Sequence, residues 1–253
     1  MIWKLDSSSA PPHWRLDPPD GPARLAFSTR RGGVSEPPFD SLNLGRSTVD
    51  EPDRVAENRA RFLAACGARP GQLATAGQVH GARVVEAVAP GHHPECDALV
   101  TARTDLALAV TTADCMAILY VAPGAVAAAH AGWRGVAAGL PAATLAAVCA
   151  RAGCAPEWVE VHFGPCIRGC CYEVGDDVAA RFPAESIRPG DPRPRLDLPT
   201  AARIALRSAG LPPARLHDTG ACTSCEPYWY FSHRRDAGRT GRLWGVALRR
   251  EPG

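Results

Sequence analysis

Two short stretches, residues 106–110 and 125–129, are apolar without interruption. Runs of this kind predict interior strands of a layered α/β fold, buried on both faces. Both break off abruptly, the first into Thr111-Thr112-Ala113-Asp114-Cys115 and the second into His130-Ala131-Gly132-Trp133-Arg134-Gly135. The strand ends therefore bring a carboxylate, a thiol and an imidazole toward one place. Function is to be sought there. Residues 24–28, 82–88, 159–163 and 243–248 read as further strands, the first running on to Gly32-Gly33. Residues 50–66 space Val55, Phe62, Leu63 and Cys66 as a helix does, behind an acidic start that suits the helix dipole. Residues 136–151, 176–182 and 201–209 are also helical in pattern, whereas 183–199 are too Pro-rich for a core element. Residues 1–24, rich in Pro, Ser and Asp, predict a loosely ordered entry with little structure. Strands interleave with helices, and no linker or repeat divides the chain. The expectation is a single-domain layered α/β fold with a mixed sheet over residues 25–253.

Composition narrows the function classes. Hydrophobic residues make up 46% of the 253, charged residues 21%, and the formal net charge is +2. That balance argues against nucleic acid or a membrane surface as the main partner. No run reaches the ~20 apolar residues of a membrane span, and no secretory leader opens the chain, so a cytoplasmic protein is expected. The ten cysteines are then expected as thiols, with some serving as ligands or catalytic groups. Cys66, Cys149 and Cys154 stand in Ala-rich surroundings and read as small core residues. Cys222-x-x-Cys225 is a common metal half-site, and with Cys166, Cys170 and Cys171 nearby in type it raises a second, structural zinc site. No second pair has that spacing, so mostly reduced thiols are expected.

His80, at a Gly-flanked corner, is the third residue of interest. Two imidazoles and a thiolate suit Zn²⁺ and leave a fourth tetrahedral position for water or substrate. On spacing alone, a buried free Cys115 and a His80 bonded to backbone remain open.

The chain resembles one family closely: the YfiH-like proteins, also called the polyphenol oxidase or laccase-domain family, regarded as purine nucleoside enzymes and including a peptidoglycan editing factor. The resemblance spans nearly all of it. It rests on Ser28-Thr29-Arg30 with Gly32-Gly33-Val34-Ser35, Ser41-Leu42-Asn43-Leu44-Gly45, Glu57-Asn58-Arg59, Gln78-Val79-His80-Gly81 and Asp97-Ala98-Leu99-Val100-Thr101. It continues through Ala113-Asp114-Cys115, the His130 motif, Gly164-Pro165-Cys166-Ile167, Tyr172-Glu173-Val174, Phe231-Ser232-His233-Arg234 and Thr240-Gly241-Arg242. Two departures are Met116, where the family has Pro, and His233, where it commonly has Tyr. The resemblance implies a fold similar to that of certain toxin deamidases, with zinc (or copper as a substitute) held by His80, Cys115 and His130. It implies phosphorolysis of adenosine, inosine, guanosine or methylthioadenosine to base and ribose 1-phosphate, with deamination of adenosine to inosine. Zinc lowers the pKa of a bound water toward ~7, and deamination needs a carboxyl to move the proton. Asp114 or Glu173 would supply it, Asp114 having the alternative role of orienting His80 or His130. Arg59, Arg134 and Arg234 are the candidates for phosphate, with Asn43 and Ser232 completing the substrate set. Asn43 has a turn-stabilising alternative, and Trp133 either stacks on a purine or packs in the core.

Three other readings compete. A copper laccase would need an axial Met and His-x-His pairs; the chain has two Met, eight His and no such pair. A Cys115–His130 amidase acting on peptidoglycan precursors would have no use for His80. A non-enzymatic binding module leaves the convergence without a purpose. The sequence does not fix the oligomeric state, a monomer being one option.

Overall fold

The computed structural model describes residues 2–17 and 21–250. Met1, residues 18–20 and residues 251–253, which fall within the expected entry and domain, lie outside the described residues. The first half runs β1 (Ile2–Asp6), β2 (His13–Asp17), β3 (Ala23–Ser28), α1 (Pro52–Ala65), β4 (Leu73–Ala76), β5 (Val84–Glu86), β6 (Gly91–His93) and β7 (Ala98–Thr101). Next come β8 (Ala107–Thr112), β9 (Met116–Ala122), β10 (Ala125–Ala131), α2 (Trp133–Ala137), α3 (Leu140–Ala152), β11 (Glu160–Phe163) and α4 (Asp176–Ala179). The chain closes with β12 (Ile187–Arg188), β13 (Arg195–Leu196), α5 (Leu198–Ser208), β14 (Leu216–Asp218) and β15 (Leu243–Arg249).

The layered α/β class holds, but the strands form two large sheets where one was expected. One has the order β1-β2-β3-β15-β8-β4-β6, the other β14-β11-β9-β10-β7-β5. Both are mixed: β4 runs parallel to β6 and β8, and β5 to β7 and β11 to β14, while the remaining ladders are antiparallel. The sheets face each other through Leu25, Phe27, Leu108 and Val110 from the first and Leu99, Leu119, Val121 and Val126 from the second. Alternate residues turn outward. Ile118, Tyr120, Ala127 and Ala129 pack under Leu145 and Val148 of α3 and Ala202 and Leu206 of α5, and Ala107, Ala109, Trp244 and Val246 pack under Phe62 and Leu63 of α1. Central strands thus lie between a sheet and a helix. That is why they read as continuous apolar runs instead of alternating ones.

Three expectations are corrected. Residues 2–17 form a hairpin on the edge of the first sheet, with Trp3 opposite Leu16 and Leu5 opposite Trp14. Trp3, Trp14 and Leu16 add to the inter-sheet core; a short period-two pattern outweighs the Pro- and Ser-rich composition. The helix expected over 136–151 is two helices broken at Gly139, which takes a left-handed φ of 86°, with Pro141 in the first turn of α3. The Pro-rich stretch carries the small β12–β13 hairpin and the start of α5, where Asp197 caps the helix through Thr200. Among the described residues, no helix is long and apolar enough to cross a membrane.

Candidate metal centre and active-site cavity

Ala113-Asp114-Cys115 is the tight turn from β8 into β9, and Asp114 adopts a φ of 87° there. A non-glycine residue in that conformation is strained and needs holding. Its carboxylate does the holding: Oδ1 accepts the Thr223 hydroxyl at 2.7 Å, and Oδ2 accepts the Arg234 backbone N–H at 2.6 Å. β10 pairs antiparallel with β9, so His130 lies opposite Ala117, two residues along the strand from Cys115. His80 comes from the loop after β4, where Gln78 and His80 take φ of 61° and 63°. The Gln78 amide fastens that loop by bonding both backbone groups of Thr111 at the end of β8, at 2.5 and 2.9 Å. The donor atoms of His80, Cys115 and His130 consequently lie within 4.8 Å of one another.

Asp97 ties the cluster together. It is fully buried at the start of β7. Oδ1 accepts the His80 backbone N–H at 2.9 Å and pairs with His130 Nδ1 at 3.0 Å, while Oδ2 accepts the Gly81 N–H at 2.7 Å. With Nδ1 engaged, the Nε2 of His130 is the nitrogen left for a ligand. Asp97, and not Asp114, therefore orients the His130 imidazole and holds the His80 backbone. Asp97→Asn is expected to weaken metal affinity about 10- to 100-fold with the fold intact. Competition against a chelating dye measures this, and unchanged affinity would show that Asp97 does not support the site.

The residues present fit a metal ion. A Cβ built on Gly132 would stand 3.0 Å from Cys115 Sγ and 3.1 Å from His80 Cδ2, so the strand end is kept clear for the donors. Two imidazoles and one thiolate are a donor set suited to zinc, with one position open. Burial pushes the Cys115 thiol up, but the His130 charge and hydrogen bonds from both imidazoles outweigh it and bring the pKa down to about 6. Burial likewise disfavours the His130 cation, yet the Cys115 thiolate and Asp97 raise its pKa to about 9. Between these values Cys115 is a thiolate and His130 an imidazolium. A metal ligand must be neutral imidazole, so binding releases the His130 proton. Apparent metal affinity is accordingly expected to rise about tenfold per pH unit from about pH 6 to about 9. A flat pH profile would contradict the thiolate–imidazolium pair.

The three donors open onto a cavity of about 1040 Å³. Among the described residues, five arginines line it, Arg46, Arg59, Arg134, Arg234 and Arg242, against one carboxylate, Asp114. Arg59 is the unusual one. It is only 8% exposed, its guanidinium lies 4.5 Å from the Trp244 ring centre, and its Nε and Nη1 have no hydrogen-bond partner. Burial, with Arg46 nearby, lowers its pKa to about 10. Arg234 also donates from Nη1 to the Glu173 carbonyl at 2.8 Å.

Three candidates from the sequence do not line the cavity. Asn43 is buried, and its side-chain amide is spent on Thr48, Asp50 and the backbone N–H groups of Gly45 and Arg242; its turn role is the one observed. Ser232 is buried and accepts the Arg235 N–H. Glu173 contributes its carbonyl to Arg234 and lies outside the lining residues. Trp133 lines the cavity while packing against the core, with the Arg134 guanidinium 4.4 Å from its ring centre. Stacking a base on the face that Arg134 covers would require it to swing aside. Asp97, Arg46 and Arg242 were missed as site residues. Asp97 and Arg242 lie within motifs quoted above, but only the three-dimensional pairing reveals their parts.

Comparisons with known proteins find relatives along nearly the whole chain. A family model described as multi-copper polyphenol oxidoreductase laccase matches residues 24–250. A Deinococcus radiodurans protein named purine nucleoside phosphorylase is 44% identical over 227 residues, 87% of either chain. A Geobacillus stearothermophilus protein named purine nucleoside phosphorylase YlmD is 35% identical, covering 92% of this chain and 93% of its own. The crystal structure of YlmD from that organism matches with a TM-score of 0.91 over 99% of both chains. The crystal structure of a Bacillus licheniformis hypothetical protein, YfiH, gives 0.91 at 29% identity, over 98% of this chain and 99% of that one.

Proposed function

This chain belongs to the multi-copper polyphenol oxidoreductase laccase family, and from that premise we propose that it is a zinc-dependent purine nucleoside phosphorylase. The relatives' names point to this activity, and one structural observation carries it: a buried, unpartnered Arg59 among four other arginines, beside the His80–Cys115–His130 cluster. A cavity so cationic suits a dianion, and guanidinium matches phosphate oxygens bidentately. Arg59 holds the phosphate, with Arg46 and Arg242 adding to the field that draws it in. Phosphate oxygen attacks the anomeric carbon of the ribose, the glycosidic carbon–nitrogen bond breaks, and the purine leaves with the electron pair. Zinc, when bound by His80, Cys115 and His130, supplies Lewis acidity to the site. Asp97 fixes the His130 imidazole and the His80 backbone, and the Asp114 turn fixes the thiolate. Asp114, the cavity's one carboxylate among the described residues, is also the group through which deamination of adenosine would move its proton.

The copper oxidase reading has less support. Met116 is buried in the core layer beneath α3 and α5, leaving the cluster without a thioether among the described residues. A second reading has an observation in its favour: Cys115, His130 and Asp97 follow one another like a nucleophile, its base and an orienting carboxylate, as a metal-free amidase requires. Incubation with inosine, guanosine, adenosine and methylthioadenosine, with and without phosphate, separates the readings. Base release that requires phosphate and is lost on chelation is expected, along with ammonia from adenosine alone. Chelated protein that cleaves muropeptide amides and leaves nucleosides intact would overturn the proposal.

A further inference from the structure

Four thiols meet away from the cavity. Cys170 and Cys171 lie on the loop after β11, and Cys222 and Cys225 lie on the turn after β14. Their sulfur atoms all lie within 4.8 Å of one another. Cys170 stands 3.5 Å from both Cys222 and Cys225, and Cys171 stands 3.3 Å from Cys225. In a tetrahedral site with zinc–sulfur bonds of ~2.3 Å, the sulfurs are about 3.8 Å apart. These three separations are a little shorter than that edge, and the remaining sulfur pairs stay within 4.8 Å.

Plainer accounts fit less well. Small apolar fillers belong in a core, yet Cys170 and Cys225 are exposed. Disulfides join sulfurs in pairs, but here Cys170 and Cys225 each approach two partners, a mesh instead of two pairs. Backbone N–H groups of Cys225 and Arg168 are directed at the Cys222 sulfur. Donors aimed at a sulfur are what a thiolate ligand needs.

We infer that Cys170, Cys171, Cys222 and Cys225 form a closed all-thiolate site for Zn²⁺, separate from the His80–Cys115–His130 centre. Four protein ligands leave no open position, which marks the site as structural. All four sulfurs fit around one ion, too compactly for a polynuclear iron–sulfur cluster. The two segments it clasps are already joined where Cys166 bridges Cys222, through Thr223 N–H to the Cys166 carbonyl at 3.1 Å. Both then reach the catalytic turn: Ile167 N–H donates to the Asp114 carbonyl at 3.0 Å and the Thr223 hydroxyl to the Asp114 carboxylate. The second ion braces the wall of the cavity that positions Cys115. It also explains how a Cys-Cys pair and a Cys-x-x-Cys pair, 52 residues apart between Cys170 and Cys222, make one site.

The test is a metal count on full-length protein purified from zinc-supplemented culture, with circular dichroism as the check on folding. Wild type is expected to hold about two zinc per chain, and Cys115→Ser and the Cys170→Ser/Cys225→Ser pair about one each. Cobalt added to metal-free Cys115→Ser is expected to give the intense thiolate-to-metal absorption of a four-sulfur site. Folded Cys115→Ser without zinc, or disulfides among these four residues in protein isolated without oxidant, would overturn the inference. Should the double variant fail to fold, the Cys115→Ser count decides alone. Loss of the second ion with phosphate-dependent base release intact leaves the proposed function standing, so the two claims fail separately.

Discussion

Cys115→Ser is expected to lower phosphorolysis by about a thousandfold or more while the chain stays folded. The size follows from the loss of a Lewis acid contributing several kcal/mol to the transition state, at 1.36 kcal/mol per factor of ten. Serine fits the space, and Cys115 stands in a turn that Asp114 and its two partners already hold. Loss of activity alone would not separate a ligand from a nucleophile. His80 does separate them, since it contacts Asp97 only through its backbone N–H, leaving its ring free to act as a donor. His80→Gln is expected to lose both metal and activity to a similar extent. Full activity in His80→Gln, with Cys115→Ser inactive, would favour the thiol nucleophile. Rate measurements at saturating nucleoside, paired with metal analysis of each variant, check this.

Arg59→Met is expected to raise the apparent KM for phosphate about 10- to 100-fold, as loss of charge-assisted hydrogen bonds of ~1.5–3 kcal/mol implies. It is expected to leave thermal stability unchanged or higher. The two signs differ because a buried cation with unpartnered nitrogens costs the free protein desolvation energy. Methionine would keep an apolar stem against Trp244, which Arg59 now covers. An ordinary structural arginine would behave oppositely, losing stability with little change in phosphate dependence. Initial rates over a phosphate series, together with a thermal melt, read both quantities. An unchanged phosphate KM would place the anion elsewhere among the cavity arginines.

The central strands and the meeting of Cys115 with His130 are legible in the chain because each apolar run ends at a chemical group. The doubled sheet is not legible, since burial on both faces erases the alternation that would tell a sheet neighbour from a helix neighbour. The N-terminal hairpin escapes for a related reason. Its signal is two apolar positions per strand, Trp3 and Leu5 against Trp14 and Leu16, within a composition suggesting loop. Membership of a motif does not tell a substrate contact from a scaffold contact: Asn43 and Arg59 both sit in motifs, yet one is saturated by backbone and side-chain partners and the other has none. Asp97 shows the converse. A carboxylate that holds one histidine by its backbone 17 residues away and another by its ring 33 residues away leaves no local pattern. Cys222-x-x-Cys225 points to a second site in the chain, but which thiols complete it is not legible, because the two pairs have different spacings and meet only through the parallel bridge at Cys166 and Cys222.

Phosphorus NMR of zinc-loaded protein incubated with inosine and orthophosphate tests the central claim most directly. The account predicts ribose 1-phosphate appearing in step with hypoxanthine, and neither product when phosphate is withheld. Hypoxanthine released with free ribose at the same rate in the absence of phosphate would contradict it.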